Sequence, residues 1–135
     1  MGIGLKRSII KAMDDQIKFK DLGPFDSERC NYNEYASALS TNLRNSTEHK
    51  LGILVCGTGV GMSITANRYK GVRAVVCSEP YTAIMSRKHN DSNILCLGSR
   101  VLGTEAALLI VQSWINTEFE AGRHQERLRL IDTYT

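Results

Sequence analysis

Residues 3–17 place Ile3, Leu5, Ile9, Ile10, Met13 and Ile17 at mostly helical spacing, with Lys6, Arg7, Lys11 and Asp14 between them. One apolar stripe on a 3.6-residue period predicts an amphipathic helix. Phe19 to Leu22 is a short strand candidate, closed by Gly23-Pro24. Residues 31–46 predict a second helix, with Tyr32, Tyr35, Ala36, Leu39 and Leu43 on one face. From Leu51 the pattern changes. Leu51–Cys56, Val72–Cys77 and Asn93–Leu97 are short apolar runs, the signature of strands buried on both faces. Helical patterns separate them: Val60–Tyr69, a stretch opened by Pro80, then Gly103–Phe119 and Ala121–Ile131. Strands alternating with helices predict an α/β fold, three-layered and Rossmann-like, with a mainly parallel sheet. Such folds bind ligands at the carboxyl ends of their strands. Attention therefore falls on Cys56–Gly61, Cys77–Pro80 and Leu97–Arg100.

Composition narrows the class. A chain of 135 residues suits one domain, taken as 1–135, with a real core. Hydrophobic residues at 42% and charged residues at 23% exclude disorder and coiled coil. A net charge of +3 is too small to argue for a nucleic-acid partner. No apolar run approaches the ~20 residues of a membrane span, and the N-terminus shows no signal-peptide core. Cys30, Cys56, Cys77 and Cys96 form no C-x-x-C pair, and His49, His89 and His124 are not spaced with them as zinc ligands. Reduced thiols and a cytoplasmic setting are the expectation, with Cys77 and Cys96 acting as small core hydrophobes.

Cys56-Gly57-Thr58-Gly59-Val60-Gly61 follows a strand and opens a helix. The dinucleotide fingerprint needs glycine where Met62 stands, and no Lys-Ser/Thr pair follows for a P-loop. What remains is a thiol beside crowded backbone N–H groups, able to serve as a base next to an oxyanion stabiliser. An inert thiol in an ordinary glycine turn is the plainer alternative. In Ser86-Arg87-Lys88-His89-Asn90-Asp91, the histidine can act as acid or base near neutral pH, or simply end a solvated helix. Arg123 and Arg127 share a helix face, and Arg100 follows a strand. Arginine forks suit a phosphate; a solvated or RNA-binding face is the alternative.

Taken in order, four segments resemble the type B ribose-5-phosphate isomerases, the family that includes galactose-6-phosphate isomerase subunits. They are residues 52–63, 71–77, 86–91 and 122–127, so the likeness spans nearly the whole chain. The resemblance implies aldose–ketose isomerisation of a phosphorylated sugar. It implies Cys56 as the base between C1 and C2, with Gly57, Gly59, Val60 and Gly61 supplying amides to the enediolate. Thr58 would assist proton movement, His89 would open the sugar ring and Asn90 would bind substrate. Arg123 and Arg127 would hold the phosphate, Arg100 would contribute to binding, and Tyr32 matches a tyrosine near the site. No metal or organic cofactor is implied. Homodimers or tetramers are implied, each site completed by His89, Asn90 and Arg100 of the neighbour, with helices at about 103–132 helping to dimerise. Ribose, allose and galactose phosphates remain open as substrates.

One departure stands out. The family begins with a central strand ending in Asp-His-Ala-Gly, whose Asp and His touch the substrate. Here Gly2-Ile3-Gly4-Leu5-Lys6 matches the helix after that strand. Unpaired backbone on the neighbouring strands is therefore expected. Three explanations are open: an incomplete beginning, a weak or non-catalytic relative, or a strand supplied by another segment or subunit. Asn31 and Asn33, where the family often has Asp and Pro, are smaller departures.

Overall fold

A computed structural model describes residues 2–134. Its elements are α1 (Ile3–Met13), α2 (Tyr32–Asn45), β1 (Gly52–Cys56), α3 (Val60–Ala66), β2 (Ala74–Val76), α4 (Pro80–Asn90), β3 (Ile94–Gly98), α5 (Thr104–Ile115) and α6 (Arg123–Asp132). The three strands form one parallel sheet in the order β1-β3-β2. The α/β expectation holds, and the reason is visible in β3. All five of its residues are buried, which only a central strand covered on both faces requires. Leu95 and Leu97 point to one side, among Leu5, Ile9, Ala107, Ile110 and Trp114 of α1 and α5. Ile94 and Cys96 point to the other, among Ala36 of α2 and Met62 and Ala66 of α3.

Helix ends follow local chemistry. Pro80 opens α4, and the Glu79 carboxylate accepts the Thr82 N–H at 2.9 Å. That hydrogen bonding holds the Glu79 carboxyl below its usual range. α5 stops at Ile115, short of the expected Phe119. Beyond it, α4 takes over the backbone: Arg87 Nε donates to the Thr117 carbonyl, and the Glu120 N–H donates to the Lys88 carbonyl. α1 likewise ends at Met13, where the N–H groups of Gln16 and Ile17 both turn back to the Met13 carbonyl.

Phe19–Leu22 is not a strand. The segment lines a cavity of about 1060 Å³ that Ile53 and Val55 of β1 also line. The Gly52 N–H donates to Asn93 and the Cys56 carbonyl accepts from Ser99, so Gly52, Leu54 and Cys56 face β3. By alternation the backbone of Ile53 and Val55 faces the cavity. No other strand among the described residues lines that edge.

Candidate functional site

Cys56 ends β1 half-buried, and its Sγ accepts the Gly59 N–H at 3.1 Å. Gly59 adopts φ of +83°, which folds the loop back over the sulfur. The loop is tied to the turn after β3: Ser99 N–H donates to the Cys56 carbonyl at 2.7 Å, and Arg100 N–H to the Gly57 carbonyl at 3.0 Å. Packing there leaves no room for side chains. A Cβ on Gly98 would lie 2.8 Å from the Thr58 carbonyl oxygen, and one on Gly61 would lie 2.6 Å from the Tyr32 ring. Tyr32, Cys56, Gly57, Thr58, Val60, Gly61 and Arg100 all line the same cavity.

The other cysteines behave differently. Burial pushes the Cys77 and Cys96 thiols up to about 12, with Glu79 adding to the rise at Cys77. Both are core thiols, as their apolar surroundings in the sequence predict.

His89, Asn90, Arg123 and Arg127 gather elsewhere. His89 stacks on His124 with ring centroids 4.3 Å apart. His89 Nε2 lies 3.7 Å from Glu120 Oε1. Partial burial holds the His124 imidazole below its usual value, and His89, Arg123 and Arg127 push the same way against Glu120. Ligand atoms of His89, Glu120 and His124 all lie within 4.8 Å of one another, so this trio can hold a metal ion. Sequence spacing pointed to neither Glu120 nor the histidine stack. Only the Glu120–His124 interval of four carries any signal, and His89 is remote in the chain.

The two groups sit at opposite rims of the sheet. Register pairs Gly52 with Ile94 and Cys56 with Gly98. His89 and Asn90 end α4 just before Ile94, so they lie beyond the amino ends of the strands. Five residues of strand span about 13 Å, and the core lies between. One chain therefore does not bring His89 to Cys56. Arg100 lines the Cys56 cavity of its own chain.

A parallel α/β sheet flanked by helices, with a cavity that reaches the loop after β1, places the chain in the Rossmann-like class. Residues 1–131 match the family described as Ribose/Galactose Isomerase, and the chain belongs to that family. Ribose-5-phosphate isomerase B of Escherichia coli (strain K12) is 47% identical over 132 residues, covering 97% of this chain and 88% of the relative. The crystal structure of a ribose 5-phosphate isomerase from Thermotoga maritima superposes with a TM-score of 0.94 at 41% identity, covering 98% of this chain and 91% of that one. Ribose-5-phosphate isomerase B from Mycoplasma genitalium with bound ribulose-5-phosphate superposes with a TM-score of 0.90 at 36% identity, covering 98% and 88%. No helix among the described residues is long and apolar enough to cross a membrane.

Proposed function

We propose that this chain interconverts ribose 5-phosphate and ribulose 5-phosphate through an enediolate. The observation that carries the reading is Cys56 Sγ at a strand end, under glycine backbone, in a cavity shared with Tyr32, Thr58 and Arg100. The relative that holds ribulose-5-phosphate supports the substrate.

The steps divide among the residues. His89 protonates the ring oxygen as the furanose opens, and the C1 hydroxyl passes its proton to solvent water to leave an aldehyde. The Cys56 thiolate then takes the C2 proton, and the electron pair moves onto the carbonyl oxygen. Amides of the Gly57–Gly61 loop stabilise that oxyanion. Thr58 relays a proton from the C2 oxygen to the C1 oxygen, and Cys56 returns its proton to C1. Arg123 and Arg127 hold the phosphate, Arg100 contributes to binding and Asn90 hydrogen-bonds the substrate; that remote binding energy positions the reacting carbons.

Because the two groups lie at opposite rims, a working site needs two chains, His89 of one meeting Cys56 of the other. The exposed apolar side chains of Leu109 on α5 and of Leu130 and Ile131 on α6 support a homodimer or tetramer formed through these helices. A single domain of residues 1–135 and a cytoplasmic setting complete the reading.

The test mixes the protein with ribose 5-phosphate and follows ribulose 5-phosphate. Turnover that Cys56→Ala abolishes supports the assignment, and full activity in that variant defeats it. The resemblance leaves a second reading, sugar-phosphate binding without turnover. Calorimetry that finds binding in a protein with no turnover selects it. Parallel assays with allose and galactose 6-phosphates decide the sugar.

A further inference from the structure

We propose that His89, Glu120 and His124 bind a divalent transition-metal ion of the Zn2+ type, and that the bound ion inhibits the enzyme by occupying His89. The binding half stands on geometry alone. The inhibitory half rests on the isomerase reading, in which His89 opens the sugar ring.

The donor set is two imidazoles and a carboxylate, the kind of three-ligand set found where zinc keeps an open fourth position. All three ligand atoms lie within 4.8 Å of one another. Donors around a tetrahedral ion with bonds of ~2.0–2.1 Å are about 3.3 Å apart. Closure therefore asks for shifts of about 1.5 Å and for the exposed His89 ring to swing out of its stack on His124, because parallel rings cannot aim in-plane lone pairs at one ion. The two side chains that must move are free to do so, since His89 is 42% exposed and Glu120 is 52% exposed. The third is anchored: His124 is buried on the first turn of α6.

The backbone brings these donors together by design of the turn. Glu120 N–H donates to the Lys88 carbonyl at 3.1 Å, which ties the α5–α6 connection to the last turn of α4. Ala121 and Gly122 then both take positive φ, 56° and 59°, and reverse the chain into α6. A non-glycine residue in that region is uncommon and signals a constrained turn. The result stacks His124 on His89 with planes only 16° apart.

Electrostatics sets the limit on affinity. Glu120 offsets one unit of positive charge, while Arg123 and Arg127 oppose the cation. The site is therefore weaker than a closed structural zinc centre, and suits reversible inhibition rather than folding.

The experiment titrates tag-free protein with Zn2+ in a calorimeter and with Co2+ in a spectrophotometer, without substrate. The expected result is saturable binding of one ion per chain. Co2+ spectra should lack the near-ultraviolet thiolate band that Cys30 or Cys56 would produce. Glu120→Gln, which keeps the shape of the side chain, should weaken binding at least about tenfold. In the isomerase assay Zn2+ should inhibit the parent, a chelator should reverse it, and Glu120→Gln should need at least about ten times more Zn2+. Absent binding, thiolate ligation, or equal affinity in Glu120→Gln overturns the site. Binding at the trio with no inhibition overturns the inhibitory half. A chain that binds Zn2+ at the trio but never turns over ribose 5-phosphate refutes the isomerase reading and leaves the metal site standing.

Discussion

Gly98→Ala should separate the fit of the loop around Cys56 from the stability of the sheet. The new methyl would meet the Thr58 carbonyl oxygen at 2.8 Å and the Thr58 carbonyl carbon and Cα at 2.9 Å. Ordinary contacts lie at ~3.5–4.0 Å, so at least about half an ångström must be found. Backbone on both sides makes that movement expensive, because no flexible side chain can swing aside. Gly98 ends the fully buried β3, so the loop between Cys56 and Gly59 is the part that gives. Overpacking of this kind costs ~1–3 kcal/mol. For a domain of this size that is a fall in Tm of roughly 3–12 °C. Displacement approaching 1 Å at reacting groups costs ~10²-fold in rate, so kcat for ribose 5-phosphate should drop on that scale. Gly103→Ala is the internal control, since nothing lies within 4 Å of its added methyl. Its Tm should stay within about 2 °C and its kcat unchanged. Thermal melts and steady-state kinetics read both variants. A Gly98→Ala protein with parental Tm and kcat would refute the packing of Thr58 on the end of β3.

Four further outcomes follow from the core and the sheet edge. Ser92→Ala removes the acceptor of the buried Trp114 Nε1–H, bonded at 2.8 Å, and should cost ~1–3 kcal/mol in urea unfolding; an unchanged midpoint contradicts the buried Trp114–Ser92–Ser86 chain. Hydrogen exchange should be faster at the Ile53 and Val55 amides, which face the cavity, than at Leu54, which faces β3; equal protection means that edge is covered. At pH 8, iodoacetamide should label Cys30 and Cys56 but spare Cys77 and Cys96 in peptide mapping. Those buried thiols sit at about 12 when folded, against ~8.5 in the unfolded chain, so the folded state holds their protons longer. Their contribution to stability is complete below about pH 8.5 and is lost as pH rises toward 12, and denaturant midpoints across that window check the sign.

The chain patterns made most of the fold legible, because burial on both faces leaves a run of apolar residues that polar substitution cannot interrupt. Leu51–Cys56 and Asn93–Leu97 each lie within a residue of the observed strands. Phe19–Leu22, broken by Lys20 and Asp21, forms no strand. A strand is completed by its partner, and nothing within four residues reports that the segment and β1 line a cavity of about 1060 Å³. The stop of α5 at Ile115 is hidden for the same reason. It depends on Arg87 and Lys88, which claim the Thr117 carbonyl and the Glu120 N–H from a distant helix.

The candidate site shows which spatial facts a linear pattern does carry. Alternation of strand and helix already assigns every helix end to a rim of the sheet. A residue that closes a helix and precedes a strand lies at the amino rim, and a residue that closes a strand lies at the carboxyl rim. His89 is the first kind and Cys56 and Arg100 are the second, so their separation follows from order alone. Arg100 thus lies at the same rim as the Cys56 of its own chain, and His89 at the other. The contact between His89, Glu120 and His124 has no such rule behind it. It arises because the Glu120 N–H closes on the Lys88 carbonyl and two positive-φ residues turn the chain back, a coincidence of loop geometry that only coordinates reveal.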